Sequence, residues 1–119
     1  MTETQKTYHE TLKEKMEEFC HLVYKISRKF PKEELYGITS QFRRAGISVA
    51  LNYIEGYARI KSKVHKNFIE ISYGSLKEAL FLIKFCFEEK FISEEEFLQL
   101  NNLAEEIGRM LWGMLRRMS

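Results

Sequence analysis

Hydrophobic residues recur every three or four positions over long stretches of the chain, which is the spacing of one face of an α-helix. Near the N-terminus this series is Leu12, Met16, Phe19, Val23, Ile26 and Phe30. Near the C-terminus it is Phe97, Leu100, Ala104, Ile107, Leu111, Met114 and Met118. One proline and six glycines leave few interruptions, which favours long helices over many short strands. The pattern predicts four helices, over residues 8–29, 34–59, 63–90 and 93–118.

Local signals mark the ends of several predicted helices. Phe30-Pro31 ends the first helix, because the residue before a proline disfavours helical backbone. Ser93 and Glu96 match the S-x-x-E capping box that opens a helix. The connections are short, so consecutive helices should be antiparallel neighbours. A chain of 119 residues is enough for one domain. We therefore predict an all-α, antiparallel up-down-up-down four-helix bundle over residues 1–119.

The second and third predicted helices carry more hydrophobic surface than the interior of one bundle can bury. On a wheel of about 100° per residue, Val49 and Tyr53 lie on one face of the second helix, and Leu51 and Ile54 lie on the opposite face. The third helix is hydrophobic around most of its circumference. Exposed hydrophobic surface of this extent usually marks an interface, so we expect each bundle to be a protomer of a homo-oligomer. The alternative is that the first and fourth helices cover more of this surface than the wheel suggests.

A narrow polar strip runs along the second helix. Gly56 within a helix costs about 1 kcal/mol relative to alanine. Such a glycine usually permits close approach of another helix or lies near a helix end, and Gly74 can have the same role. A crossing there would place Ser75 and Glu78 beside the strip, and a carboxylate in that apolar setting needs a partner. The residues that we predict to form a structural polar network are Arg44, Ser48, Asn52, Glu55, Arg59, Ser75 and Glu78. A ligand or partner contact is the alternative interpretation.

Two carboxylates of this network, Glu55 and Glu78, could in principle perform acid–base chemistry or bind a metal. Di-metal bundles, however, combine several glutamates with a pair of Glu-x-x-His motifs, and the sequence has no such pair. His9, His21 and His65 are scattered, and no nucleophile triad or phosphate-binding glycine loop is visible. We therefore expect no catalytic residue, no metal and no cofactor, and we interpret the protein as not an enzyme.

The net charge of +2 neither demands nor excludes a nucleic-acid partner. Basic residues nevertheless gather around the second helix and the loop after it, at Arg43, Arg44, Arg59, Lys61, Lys63 and Lys66. With Tyr57 and His65 nearby, they form a candidate nucleic-acid-binding surface, where cations contact phosphates and rings stack on bases. A solvated charged surface is the alternative.

Cys20 and Cys86 lie in apolar helical stretches. A buried free cysteine behaves as a small hydrophobic residue, and a disulfide or redox role is the alternative. No hydrophobic run approaches the roughly 20 residues of a membrane span. Residues 1–15 are largely polar and charged, unlike a signal peptide. We expect no membrane partner and a cytoplasmic location.

Three ordered segments resemble a known family over nearly the whole chain. They are residues 30–45 (FPKEELYGITSQFRRA), residues 52–59 as Asn-x-x-Glu-Gly-x-x-Arg, and Phe68 followed by Gly74-Ser75-Leu76-Lys77-Glu78. They resemble the four-helix bundle family named for proteins encoded in intervening sequences of bacterial 23S ribosomal RNA genes, also called S23 ribosomal proteins. The resemblance implies an up-down bundle that assembles as a ring-like homopentamer. It also implies relatedness to the accessory variability proteins of diversity-generating retroelements, which bind nucleic acid and a reverse transcriptase through a basic surface.

These observations lead to two hypotheses about function. The first is a non-enzymatic oligomeric binding module that contacts RNA or a nucleic-acid-handling protein through its basic residues. Repetition of weak contacts around a ring would strengthen such binding by avidity. The second is a protein-only scaffold or adaptor ring with no nucleic-acid contact.

Overall fold

A computed structural model describes residues 6–59 and 62–118 of the protein. Over these residues the chain forms four α-helices, namely α1 (Tyr8–Ser27), α2 (Ile38–Tyr57), α3 (Ser62–Glu88) and α4 (Glu94–Met118). A single 3₁₀ turn (Lys32–Glu34) lies between α1 and α2. The described residues contain no β-strand. The all-α prediction is confirmed.

Contacts between opposite helix ends show an antiparallel bundle. At the start of α1 the Tyr8 hydroxyl donates to the carbonyl oxygen of Met110, 2.7 Å away near the end of α4. Just beyond the other end of α1, Lys29 forms an ion pair with Glu96 at the start of α4. α2 packs against α1 and α3, and α3 packs against α4. The predicted up-down-up-down order is therefore confirmed.

The connection between α1 and α2 is longer than predicted, because α2 begins at Ile38 and not at residue 34. The backbone N–H of Glu34 donates to the carbonyl oxygen of Pro31, 2.9 Å away, and the N–H of Gly37 donates to that of Glu34, 3.0 Å away. These three-residue steps are 3₁₀ geometry. Gly37 then leaves the helical conformation, with φ −114° and ψ −111°. A continuous α-helix therefore cannot start before Ile38.

α3 ends in a Schellman motif, two residues before the predicted boundary. The N–H of Phe91 donates to the carbonyl oxygen of Cys86, 2.8 Å away, and the N–H of Lys90 donates to that of Phe87, 3.0 Å away. This pair of bonds defines the motif. Lys90 occupies the position that usually favours glycine, with a φ of 65°. Lys90, which carries a side chain, therefore has a strained backbone conformation.

The predicted capping box at the start of α4 is confirmed. The N–H of Ser93 donates to Glu96 Oε1 (2.9 Å), and the N–H of Glu96 donates to Ser93 Oγ (3.1 Å). Burial alone would raise the pKa of Glu96, but hydrogen bonds from Lys29 and Ser93 hold this pKa below its usual value. The carboxylate therefore joins the α4 cap to the end of α1.

The bundle core is formed by the hydrophobic series predicted for α1 and α4 and by one face each of α2 and α3. Its largest fully buried side chains include Phe19, Phe42, Tyr53, Leu76, Ile83, Leu100, Ile107 and Leu111. Phe97, Met114 and Met118 lie at its margin and are partly buried. No helix within residues 6–59 and 62–118 is long and apolar enough to cross a membrane.

Candidate functional site

α2 and α3 expose large hydrophobic side chains on the sides that face away from the core. Leu51 and Ile54 of α2 are 60% and 43% exposed, and Ile71, Phe81 and Phe85 of α3 are 50%, 64% and 37% exposed. The rings of Phe81 and Phe85 stack with their centroids 6.4 Å apart. We call these five residues the outer apolar face. The prediction that α2 and α3 each carry a second hydrophobic face is confirmed.

A small set of hydroxyl and amide groups joins α2 to α3 beside this face. The Oγ atoms of Ser48 and Ser75 lie 2.8 Å apart, and Asn52 Nδ2 donates to both the Oγ and the carbonyl oxygen of Ser48, each 2.9 Å away. The fourth member, Ser72, is fully buried, and its Oγ donates to the carbonyl oxygen of Val49, 2.6 Å away. Sequence reasoning missed Ser72, because a lone serine within an apolar stretch carries no distinctive pattern.

The other four residues of the predicted polar network lie outside this set. Glu55 and Arg59 form an exposed ion pair of their own, and the Arg59 guanidinium lies 5.3 Å from the Phe68 ring centroid. Arg44 and Glu78 are exposed, and no hydrogen bond or ion pair joins them to the described part of the chain. The expectation that Glu78 needs a partner is wrong, because its carboxylate faces solvent rather than an apolar interior.

The two carboxylates considered for chemistry are far apart. Ser48 faces Ser75 across the antiparallel pair, so Glu55 lies toward one end of the helices and Glu78 toward the other. At about 1.5 Å per residue, this separates the carboxylates by roughly 15 Å along the axis. A single Glu-x-x-His spacing occurs on α1, at Glu18 and His21. Within residues 6–59 and 62–118, no group of three or more His, Cys, Asp or Glu side chains is arranged to hold a metal.

The two glycines singled out by the sequence have different surroundings. A Cβ at Gly56 would lie only 2.8 Å from Phe68 Cβ and 3.2 Å from the carbonyl oxygen of His65. Gly56 therefore permits close contact between α2 and the start of α3. A Cβ at Gly74 would meet no atom of the described residues within 4 Å. The expectation that Gly74 takes part in a close crossing is wrong, because Gly74 faces away from α2.

The structure divides the predicted nucleic-acid-binding residues between two places. Arg43 and Arg44 lie in the first turns of α2, whereas Arg59, Lys63 and Lys66 lie around the α2–α3 connection. Arg43 and Arg59 are sixteen residues apart, which corresponds to about 24 Å along a helix. Lys61 lies outside the described residues. The basic residues therefore do not form one cluster within a protomer.

The basic group at the α2–α3 connection includes Lys66, which also lines a groove between α3 and α4. This α3–α4 groove encloses about 460 Å³ and is lined by Lys66, Glu70, Tyr73, Trp112 and Arg116, among others. The rings of Tyr73 and Trp112 lie 5.8 Å apart, and Trp112 is 53% exposed. The groove thus combines basic side chains with an exposed aromatic surface. Sequence reasoning missed it, although Trp112 and Arg116 are one helical turn apart and offer a signal.

Tyr57 and His65, the aromatic residues expected near bound bases, both make contacts within the protomer. The His9 and Tyr57 rings are nearly parallel, with centroids 3.5 Å apart, and His9 Nδ1 lies 2.7 Å from the Tyr53 hydroxyl. Burial lowers the pKa of His9 and raises that of Tyr53. His65 Nδ1 lies 2.5 Å from the Gly56 carbonyl oxygen. This aromatic cluster therefore joins the N-terminal turn of α1 to the end of α2.

Both cysteines are free thiols. Cys86 is buried, and burial raises the pKa of its thiol to about 12. Cys20 is partly buried, its Sγ donates to the carbonyl oxygen of Gly46 at 3.4 Å, and burial raises its pKa as well. Since the thiolate is the reactive form, both residues favour the interpretation as packing groups.

Residues 10–113 match the model of a protein family described as 23S rRNA-intervening sequence protein. The chain belongs to this family. The match extends from α1 to α4 and includes the outer apolar face and the described basic residues of α2 and α3. Among curated proteins, none matches the chain in sequence.

A solved structure shares the fold of this 23S rRNA-intervening sequence family member. It is a protein of unknown function from the S23 ribosomal protein family of Bacteroides thetaiotaomicron VPI-5482. The two structures agree with a TM-score of 0.82, over 88% of this chain and 98% of that one, at 19% sequence identity. Identity this low establishes a common fold only, so the roles of the surfaces must be argued from this chain's own residues.

Proposed function

We propose that this protein is a non-enzymatic binding module that assembles into a ring of identical subunits, five by the family resemblance, and contacts RNA through repeated basic surfaces. The outer apolar face carries the proposal. Its five large side chains are on average half exposed, and exposed hydrophobic surface of this kind usually marks an interaction site. The separation of Glu55 from Glu78 supports a binding role over acid–base chemistry.

The free energy gained by burying these side chains favours a second copy of the chain as the occupant of this face. Complete burial of a large hydrophobic side chain is worth about 1.5–3 kcal/mol. For five half-exposed side chains this amounts to roughly 4–8 kcal/mol, which is comparable to the 4–15 kcal/mol estimated as the cost of association. A second copy adds matching hydrophobic side chains of its own. Self-association therefore removes more apolar surface from water than a polar partner would.

Self-association is tested by measuring solution mass by light scattering at micromolar concentration. We expect a pentamer for the wild type and a smaller species for the Leu51→Lys, Phe81→Lys double variant. The matched control is Leu98→Lys on α4, whose side chain is 48% exposed outside the outer apolar face. This control should retain the wild-type mass. A strictly monomeric wild type would contradict the proposal, and circular dichroism verifies that each variant stays helical.

The RNA contact is supported by the basic group at the α2–α3 connection. Lys63 and Lys66 lie there, and the α3–α4 groove with its exposed Trp112 begins at Lys66. Cations that contact phosphates supply affinity, and an exposed aromatic ring supplies a platform for a base. A ring would repeat this surface once per subunit, so that contacts of modest strength add by avidity.

RNA binding is tested by titrating a structured RNA at several salt concentrations with fluorescence anisotropy. We expect the logarithm of the binding constant to fall linearly with the logarithm of salt concentration. The Lys63→Gln, Lys66→Gln double variant should weaken binding and reduce that slope. Lys84→Gln, an exposed change near the other end of α3, should leave both nearly unchanged. Absence of binding at low salt would contradict RNA contact.

A protein-only scaffold is the second candidate. It is favoured by the small net charge of +2 and by the ion pair that offsets the charge of Arg59. A protein partner that stays bound after nuclease treatment would support this function over RNA contact. Its binding should be lost in the Trp112→Ser variant and kept in the Leu98→Lys variant.

A further inference from the structure

A cavity of about 320 Å³ lies at the corner where α1 ends and α2 begins. Beside the hydrophobic Phe30, Pro31 and Leu35, its lining consists of the cations Arg28, Lys32 and Arg43 and the hydroxyls Ser27 and Thr39, and no carboxylate of residues 6–59 and 62–118 lines it. We call it the corner pocket. Three positive charges without a lining acid make an electrostatic environment that attracts anions.

Thr39 is the observation that points to a ligand. Its side chain is only 3% exposed, and its Oγ1 atom has no hydrogen-bond partner among the described residues. Buried hydroxyl groups are nearly always hydrogen-bonded in native proteins, so an unpartnered hydroxyl on a residue that lines a cavity calls for a partner. A hydroxyl can donate to the oxygen of a bound anion.

The start of α2 adds a favourable dipole at the same place. Thr39 is the second residue of this 20-residue helix. The capping residue is Gly37, which has no side chain to cap the first N–H groups of the helix. The N-terminus of a helix carries a partial positive charge and unpaired N–H groups, which suit a phosphate. One acid is near, since Glu34 Oε2 would lie 3.4 Å from a Cβ at Gly37, but Glu34 does not line the pocket.

Arg43 is held in place at the pocket by contacts that leave its charge uncompensated. Its Nε donates to Ser27 Oγ, 2.8 Å away, and Ser27 Oγ donates in turn to the Tyr24 carbonyl oxygen, 3.2 Å away. The Arg43 guanidinium lies 4.9 Å from the Tyr24 ring centroid. Within the described residues, none of the three pocket cations forms an ion pair, whereas the neighbouring Lys29 pairs with Glu96. A preorganised guanidinium of this kind binds phosphate oxygens well.

We propose that the corner pocket binds a phosphate group, with Arg43 and the Thr39 hydroxyl as hydrogen-bond donors and with Arg28 and Lys32 supplying charge. The group has two possible sources, a free phosphate or phosphomonoester and the backbone of RNA. Only the second source rests on the proposed function, because free phosphate would bind whether or not the protein contacts RNA.

The probe is inorganic phosphate, titrated into the full-length protein at constant ionic strength maintained with chloride. We expect saturable shifts of the Thr39 and Arg43 resonances in ¹⁵N-correlated NMR spectra and a higher melting temperature. Arg43→Gln and Thr39→Val should each weaken phosphate binding about tenfold. Arg44→Gln is the matched control, because Arg44 is the next residue on α2 but lies outside the pocket lining, and it should change binding less than twofold.

Thr39→Val also separates lost binding from lost structure. Because this variant removes an unpartnered buried hydroxyl at nearly constant volume, its melting temperature without phosphate should equal or exceed that of the wild type. Absence of a saturable phosphate response, or equal weakening by Arg44→Gln and Arg43→Gln, would overturn the proposal. Displacement of bound RNA by phosphate would identify the RNA backbone as the source, whereas saturable phosphate binding without displacement would identify a free phosphate.

Discussion

Replacing Gly56 with alanine tests the closest contact between α2 and α3. The added Cβ would lie 2.8 Å from Phe68 Cβ, 3.2 Å from the carbonyl oxygen of His65 and 3.3 Å from Ile69 Cδ1. The first of these atoms is bonded to the main chain and the second belongs to it. A rotamer change in α3 therefore cannot make room, and the two helices must move apart.

Two effects of opposite sign determine the size of the change. Alanine gains about 1 kcal/mol over glycine in helix propensity. Overpacking a well-packed interior typically costs about 1–3 kcal/mol, and a contact below 3.0 Å against atoms that cannot rotate away belongs in the upper half of that range. The Gly56→Ala variant should therefore unfold with a free energy about 1–2 kcal/mol below that of the wild type.

Gly74→Ala is the matched control, because it adds the same methyl group at a helical position with no atom of the described chain within 4 Å of the added carbon. Only the propensity gain remains there, so this variant should be more stable than the wild type by about 0.5–1 kcal/mol. Urea unfolding followed by far-ultraviolet circular dichroism measures both. The protein concentration is held constant, since self-association links stability to concentration. If Gly56→Ala is as stable as the wild type, or shifts in the same direction as Gly74→Ala, the close contact is not as described.

Three further predictions concern helix ends and a buried hydroxyl. Lys90→Gly should raise the free energy of unfolding by about 1 kcal/mol, because glycine tolerates the φ of 65°, whereas Lys90→Ala should bring no such gain. Ser72→Ala should lower it by about 1 kcal/mol through loss of the bond to the Val49 carbonyl. The pKa of Glu96 is lowered, so its stabilisation is complete above the unfolded-state pKa of about 4.3 and is lost as pH falls through the folded-state pKa. Glu96→Gln should therefore reduce the urea midpoint at neutral pH and have a smaller effect near pH 2.

Each of these predictions has an outcome that contradicts it. A gain from Lys90→Ala equal to that from Lys90→Gly would show that charge, and not backbone conformation, limits stability at this position. An unchanged Ser72→Ala variant would mean that the hydroxyl contributes no net stabilisation. A Glu96→Gln effect that does not depend on pH would rule out ionisation of Glu96 as its source.

The candidate surfaces were only partly predictable from the sequence. Ser48, Asn52 and Ser75 were predicted to meet from a helix crossing at Gly56 and Gly74, and they do meet, although Gly74 faces away from α2. Glu78 was expected to lie in an apolar setting, but it is exposed. A helical wheel gives the direction of a side chain around its own helix and not its distance from the next helix. The division of the basic residues along α2 follows from their sequence positions once α2 is known to be continuous over twenty residues.

The sequence by itself determined the four helices, the buried faces of α1 and α4 and the second hydrophobic face of α2 and α3, because helical periodicity is a local property of the chain. Beyond the Ser48, Asn52 and Ser75 set, only the tertiary structure decided which side chains meet across helices. Trp112 lies beside Tyr73, Ser72 reaches the carbonyl of Val49, and Thr39 lines the corner pocket. These pairings depend on the rotation and axial offset of each helix, which result from packing over the whole core and leave no trace in the spacing of residues along one helix.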